Sequence, residues 1–192
     1  MQEQLSPELV VAAYAKGIYP MADPDGTIRW YSPIRRAIFP LDGFRVPRTL
    51  AKVVRRGTYE IRIDTAFEEV IRGCADRPIT WISEEIVRVY TELHDLGLAH
   101  SVEAWHEGRL VGGLYGVALR GAFMGESMFS RMPNASGVCL VALVERLKAR
   151  GFVLLDSQTP TRHLARFGQI LVPRAEYLRR LREALALERH FD

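Results

Sequence analysis

Cysteine is scarce: Cys74 and Cys139 are the only two in 192 residues, too few for a disulfide framework or a thiolate metal site. Both fall in helix-like segments and are expected to be plain core thiols. Lysine is almost as rare, occurring only at Lys16, Lys52 and Lys148, so arginine carries nearly all of the 26 positive charges. A biased genome produces that pattern as readily as phosphate recognition does. No apolar run approaches the ~20 residues a bilayer span needs, and the stretch Val138 to Val144 ends in charge. The start MQEQLSPE has neither the basic nor the apolar region of a signal peptide, so a soluble, cytoplasmic protein is expected. A phosphate loop, a dinucleotide fingerprint and a kinase signature are all missing. Gly125-Glu-Ser127-Met-Phe129 carries Phe129 where a hydrolase nucleophile elbow needs its second glycine, which argues against a serine hydrolase. His94, His100 and His106, six apart, match no metal loop; they are expected to be ordinary polar or partly buried histidines. Neither a metal nor a cofactor is expected.

What is present describes a folded chain of one domain with a small appendage: 48% hydrophobic and 26% charged residues are enough for a sizeable core. The net charge of +3 is too mild to name a partner by itself, so the distribution of charge has to decide.

Ser6, Pro7 and Gly17 read as the cap, first turn and stop of a short helix. Asp23-Pro-Asp-Gly26 joins Ile18–Ala22 and Thr27–Tyr31 as a hairpin, and residues 1–32 are expected to form a small N-terminal subdomain, with 33–192 the main domain. Prolines 33, 40 and 47 surround Ala37–Phe39, an expected edge strand. Helices are predicted over Pro47–Arg56, from Asp64 or Thr65 to Ala75, from Ser83 to before Gly97, over Ser136–Arg150 and over Ala175–Glu188. Strands are predicted at Tyr59–Ile63, in an antiparallel meander of Ser101–Trp105, Leu110–Leu119 and Ala122–Phe129, and at Phe152–Asp156. The expected fold class is α/β (α+β), a mixed sheet flanked by helices.

Two features stand out. Arg48, Lys52, Arg55 and Arg56 form a basic stripe on one helix, opposite Leu50, Val53 and Val54, with no acidic residue between Arg45 and Arg56. A solvated helix face has this composition, and so does a phosphate-binding surface, which would neutralise like charges that otherwise repel. Polar residues also close apolar strands: Glu126 and Ser127 in one, Asp156-Ser157-Gln158 in another. Asp156 could cap a helix or anchor a loop. Alternatively, Asp156 and Gln158, two apart on extended chain, would point to one side into a crevice at the sheet's edge.

The run Gly125-Glu-Ser-Met-Phe-Ser-Arg-Met-Pro-Asn-Ala-Ser136 resembles the signature of bacterial leucyl/phenylalanyl-tRNA–protein transferases. In order along the chain, Gly17-Ile-Tyr-Pro-Met21, Trp30-Tyr-Ser-Pro33, Thr80-Trp-Ile82, His100-Ser-Val-Glu-Ala-Trp105, Gly112-Gly-Leu-Tyr-Gly-Val117 and Leu155-Asp-Ser-Gln158 resemble the same family. Gly137 stands where that signature usually continues with lysine.

The resemblance implies a GNAT-like catalytic domain that moves leucine, phenylalanine or methionine from aminoacyl-tRNA to the α-amine of proteins beginning with Arg or Lys, creating an N-end rule degradation signal. It implies that Trp81 and Tyr90 hold the terminal aminoacyl-adenosine. Phe123, Met128, Leu140, Leu143 and Leu155 would line the side-chain pocket, and Glu126, Asp156 and Gln158 would form the catalytic and acceptor-binding group. The partners are then Leu-tRNA or Phe-tRNA and a protein with N-terminal Arg or Lys, with Arg48, Lys52, Arg55 and Arg56 on tRNA phosphates and no membrane involved. An aminoacyl ester is already activated, so the reaction needs no nucleotide or metal. Other readings are an acyl-CoA-dependent GNAT N-acyltransferase, a relative with another acceptor preference, and a noncatalytic tRNA-binding module. The first needs a turn of the form R/Q-x-x-G-x-G/A, which Arg131 to Gly137 does not supply.

Overall fold

The computed structural model describes residues 5–192. The chain opens with helix α1 (Pro7–Ala15), capped by Ser6, whose hydroxyl accepts from the Leu9 amide. Strands β1 (Tyr19–Ala22) and β2 (Ile28–Tyr31) then form the expected hairpin about Asp23–Gly26. The order continues β3 (Arg35–Phe39), α2 (Arg48–Arg56), β4 (Glu60–Ile63), α3 (Phe67–Ala75), α4 (Glu84–Asp95), β5 (Ala99–His106), β6 (Arg109–Leu119) and β7 (Ala122–Ser130). Helix α5 (Ala135–Ala149), β8 (Leu154–Gln158), α6 (Arg162–Ala165), β9 (Ile170–Pro173) and α7 (Arg174–Leu185) complete it.

Seven strands make one mixed sheet in the order β4-β5-β6-β7-β8-β3-β9, flanked by helices as the GNAT-like expectation describes. The meander β5-β6-β7 is antiparallel, and β7 and β8, joined through α5, are the parallel pair. Side-chain alternation along β7 and β8 divides the core. Met124 and Leu154 face a layer with α1, α3, α4 and α7, whereas Phe123 and Leu155 face α5 and α2. Cys74 and Cys139 are buried and unbridged, and burial pushes the Cys74 thiol up to about 12.

Strand β3 departs from expectation. It is not an edge: it lies between β8 and β9, pairing antiparallel with both. Its prolines flank the paired residues rather than interrupting them, and the strand that covers it, β9, comes from a polar-flanked segment too short to show a period. The N-terminal segment does not stand off from the rest, because Val10, Tyr14, Tyr19 and Ala22 enter the same apolar cluster as α3 and α4.

The motif His100-Ser-Val-Glu-Ala-Trp105 has a structural use. Glu103, fully buried on β5, accepts from the amides of Thr65 and Ala66, from Ser101 Oγ and from Trp105 Nε1, which satisfies the free amides ahead of α3. Burial opposes its charge, but these bonds hold its pKa below the usual carboxylate value. His100 packs on Phe191 and bonds Asp64 through Nδ1 at 2.7 Å.

Candidate active site in a split between two parallel strands

Strands β7 and β8 pair only from Ala122 to Met124 against Leu154 to Asp156. Past that point each carries an irregularity. On β7, Tyr115 opposes Ser127 while Gly116 opposes Gly125, so Glu126 is an extra, bulged residue. On β8, Ile38 opposes Asp156 while Ala37 opposes Gln158, so Ser157 is extra. Bulges bend a strand and re-aim its side chains, and here they accompany the parting of β7 and β8. The β7 bulge depends on Gly116, where a Cβ would stand 2.3 Å from the Met124 carbonyl oxygen and 2.4 Å from the Phe123 ring.

A cavity of about 490 Å³ runs through the split, within the size range of small-ligand sites. Tyr19, Met21, Arg77 and Trp81 line one end, and Met128, Leu140, Leu143, Leu155 and Leu164 the other, with Glu126, Asp156 and Gln158 between them. Most of the residues expected in the site are therefore brought together.

Two are not. Phe123 is fully buried behind the wall, packed on Phe191 with ring centroids 5.3 Å apart, and does not border the cavity. Tyr90 is also fully buried, its ring edge-on to Tyr115, so no base can stack on it in this conformation. Both corrections have one cause: an aromatic residue at a core position is enclosed by its own layer. Tyr90 instead reaches the site through hydroxyls, bonding Tyr14 at 2.7 Å, and Tyr14 donates to Glu126 Oε1.

The bulge at Ser157 shifts the register, so that Asp156 pairs with Ile38 and Gln158 with Ala37, yet both border the one cavity, as expected. Asp156, 0% exposed, accepts from Arg36 Nε at 2.9 Å and Nη2 at 2.7 Å and from the Tyr177 hydroxyl at 2.8 Å. Arg36 is 1% exposed, lies between the rings of Tyr19 and Tyr177, and also donates to the Gly17 carbonyl at 3.1 Å. Arg36, Tyr14 and Tyr177 were missed in the sequence. Arg36 had a possible signal, an arginine beside Ala37–Ile38–Phe39 in an apolar strand, which needs a buried partner.

Gln158 closes β8 with φ +56. Its backbone amide donates to Asp156 Oδ1 at 2.9 Å and its Nε2 to Glu126 Oε1 at 3.3 Å. Among the described residues the amide oxygen of Gln158 has no hydrogen-bond partner, which leaves it available to a ligand. Burial, with help from the nearby Asp156 charge, raises Glu126 to about 8 against the pull of the Tyr14 hydrogen bond. Near neutrality Glu126 is therefore mostly protonated and Arg36 offsets the charge of Asp156, so the cavity wall carries little net negative charge.

This makes Glu126 a stability sensor. A carboxyl with folded pKa of about 8 and a reference value of 4.5 binds more protons folded than unfolded between those values, so stability falls as pH rises through that window. Glu126→Gln has no such proton to lose. Its unfolding midpoint is expected to match the parent near pH 4.5 and to exceed it by roughly 10 °C at pH 8, since a pKa of about 8 against 4.5 is worth about 4 kcal/mol there, at roughly 2–4 °C per kcal/mol for a chain of this size. Thermal melts at the two pH values check it.

The basic stripe is on α2. Arg48, Lys52, Arg55 and Arg56 are all exposed and none is in an ion pair among the described residues. Leu50, on the opposite side, rests on Gly137 of α5, where a Cβ would come within 3.2 Å of Leu50 Cδ2. Gly137 lets α2 seat one turn along α5 from the cavity residue Leu140; a lysine there would push the helix outward.

Residues 38–182 match the profile of the family described as leucyl/phenylalanyl-tRNA protein transferase, and residues 3–34 match its N-terminal domain profile. Relatives named leucyl/phenylalanyl-tRNA–protein transferase include one from Rubrobacter xylanophilus, 59% identical over 98% of this chain and 99% of its own length. Another, from Herpetosiphon aurantiacus, is 56% identical over 96% of this chain and 97% of its own. Among solved structures, FemX is similar in fold with a TM-score of 0.58 at 10% identity, over 86% of this chain and 66% of that one. No helix among the described residues is long and apolar enough to cross a membrane.

Proposed function

This chain belongs to the leucyl/phenylalanyl-tRNA–protein transferase family, and on that premise we propose that the split between β7 and β8 moves leucine, phenylalanine or methionine from aminoacyl-tRNA to the α-amine of proteins beginning with Arg or Lys. The product is an N-end rule signal, and the reaction is cytoplasmic. As a family member the chain is an aminoacyltransferase that takes an aminoacyl-tRNA and a protein as substrates. In this reading residues 1–32 are a small N-terminal subdomain and 33–192 the catalytic domain.

The observation that carries the proposal is the placement of a free amide oxygen, on Gln158, beside an apolar wall within one cavity. The donor's side chain lies against Met128, Leu140, Leu143 and Leu155, with Phe123 backing the wall. Such a pocket separates homologous side chains by only about 1–3 kcal/mol per methylene, so several large unbranched or γ-branched donors fit. The terminal adenosine lies toward Trp81. Tyr90 contributes through Tyr14 rather than by stacking.

The acceptor α-amine, with a pKa of about 7.7–8.0, attacks the ester carbonyl as the free base. The Gln158 oxygen accepts one N–H of the amine and aims its lone pair. The tRNA ribose hydroxyl leaves, taking up the proton that the amine gives up. Asp156 acts on Gln158 through the backbone amide and with its Arg36 partner fixes the end of β8. No strong base is needed, because holding amine and ester in reactive geometry can supply up to roughly 7–11 kcal/mol. Glu126 meets the acceptor's cationic side chain: a nearby guanidinium or ammonium favours the carboxylate, the Glu126 proton passes to water, and a charge-assisted hydrogen bond from the cation takes its place.

Peptides beginning with Arg, Lys, Asp and Glu, offered with labelled leucyl-tRNA, test the acceptor choice. Label is expected on the first two. Label on Asp or Glu peptides in preference would overturn it.

A further inference from the structure

Gln158 lies in an uncommon backbone conformation. With φ +56 and a 2.7 Å hydrogen bond from the Thr159 amide to the Ser157 carbonyl, it is the centre of a γ-turn of the positive-φ kind, which is rare and strained in L-residues. Such a turn persists only where its surroundings over-determine it. On the inner side Asp156 accepts the Gln158 amide. On the outer side the restraint comes from one side chain outside the catalytic group, Gln169, just ahead of β9.

Gln169 holds the turn on both flanks. Its Nε2 donates to Ser157 Oγ at 2.9 Å and to the Thr159 carbonyl at 3.3 Å, and its Oε1 accepts from the Thr161 amide at 3.2 Å. Ser157 passes the restraint on by donating to the Ala37 carbonyl of β3 at 3.1 Å. The bulged residue, the γ-turn and the N-cap of α6 are therefore tied to one amide. Thr161, His163 and Leu164, which follow the turn, line the cavity, so the same clamp also sets that wall.

The geometry points to Gln169 as a positioning residue for aminoacyl transfer: it holds Ser157 to Thr161 so that the Gln158 amide faces the cavity. This rests on the reading of Gln158 as the group that meets the attacking amine. Gln169 touches no reacting atom, and none of its hydrogen bonds is to α2.

A double-mutant cycle tests it, because residues acting through one group lose additivity. Single-turnover transfer from leucyl-tRNA to an Arg-initiated peptide is measured for the parent chain, Gln169→Leu, Gln158→Ala and the double variant, with tRNA affinity and thermal midpoint measured alongside. Gln169→Leu is expected to slow transfer at least tenfold while tRNA affinity stays within twofold and the midpoint shifts by no more than a few degrees. Gln169→Glu, which keeps the acceptor for Thr161 but loses the donor to Thr159, is expected to fall between, and it serves in the cycle if the leucine variant folds poorly. The double variant is expected to be no slower than Gln158→Ala alone. Transfer by Gln169→Leu within twofold of the parent, losses that multiply in the double variant, or tRNA affinity falling in step with rate would each overturn the proposal. Parent-like transfer by Gln158→Ala would instead overturn the reading of Gln158 itself, and any role for Gln169 through it.

Discussion

Replacing Asp156 by alanine is expected to cost about 3–5 kcal/mol of stability, the range found when one partner of a buried ion pair is removed, and to abolish transfer. The stability loss follows from Arg36. Its guanidinium is almost wholly enclosed between the Tyr19 and Tyr177 rings, and among the described residues its remaining hydrogen-bond partners without Asp156 are the Gly17 carbonyl and, weakly, the Tyr177 hydroxyl. Loss of activity in Asp156→Ala alone would therefore say little about chemistry. The informative variant is Arg36→Met with Asp156→Leu. Swapping a buried pair for apolar residues of similar volume is often neutral or stabilising, so this variant is expected to recover most of the stability while transfer stays absent, because Gln158 has lost the carboxylate that holds its amide. Denaturant unfolding and single-turnover transfer on the same samples separate the two effects. Recovery of transfer together with stability would mean that Asp156 serves only the fold.

Changing Arg48, Lys52, Arg55 and Arg56 together to glutamine is expected to weaken tRNA binding strongly and to change its salt response. Each phosphate contact contributes roughly 0.7–0.9 to the slope of log affinity against log salt. Losing four makes that slope shallower by about 3. Because no residue of α2 lines the cavity, the single-turnover rate at saturating aminoacyl-tRNA is expected to stay near that of the parent. An unchanged slope would make the stripe a solvated helix face.

Much of the fold was legible in the sequence. The meander, the caps at Ser6 and Ser83 and the helix ending at Gly151 follow from local rules, and each lies within a residue or two of expectation. Long-range pairing was not legible. Strand β9 is four residues long, and its pairing with β3 is set by α7 packing, which no local period reveals. The site was legible as a set of residue types but not as a geometry. Glu126 and Ser157 are bulged residues, and a bulge is decided by how two strands part rather than by composition. Asp156 and Gln158 border one cavity, but through a bulge and a turn with φ +56 rather than by alternation along a straight strand. Tyr90 and Phe123 illustrate a related limit: a pattern of apolar positions marks a buried aromatic but cannot distinguish the wall of a cavity from the layer behind it.

The account's central claim is that this cavity joins an activated aminoacyl ester to a protein's α-amine with no further energy source. Its most direct measurement is transfer of labelled leucine from purified leucyl-tRNA to an Arg-initiated peptide, with neither ATP nor CoA present. The account predicts labelled peptide, formed faster as pH rises through the α-amine pKa of about 7.7–8.0, and far slower but measurable transfer with Gln158→Ala. Label that stays on the tRNA with every acceptor, or that moves only when CoA is added, would contradict it.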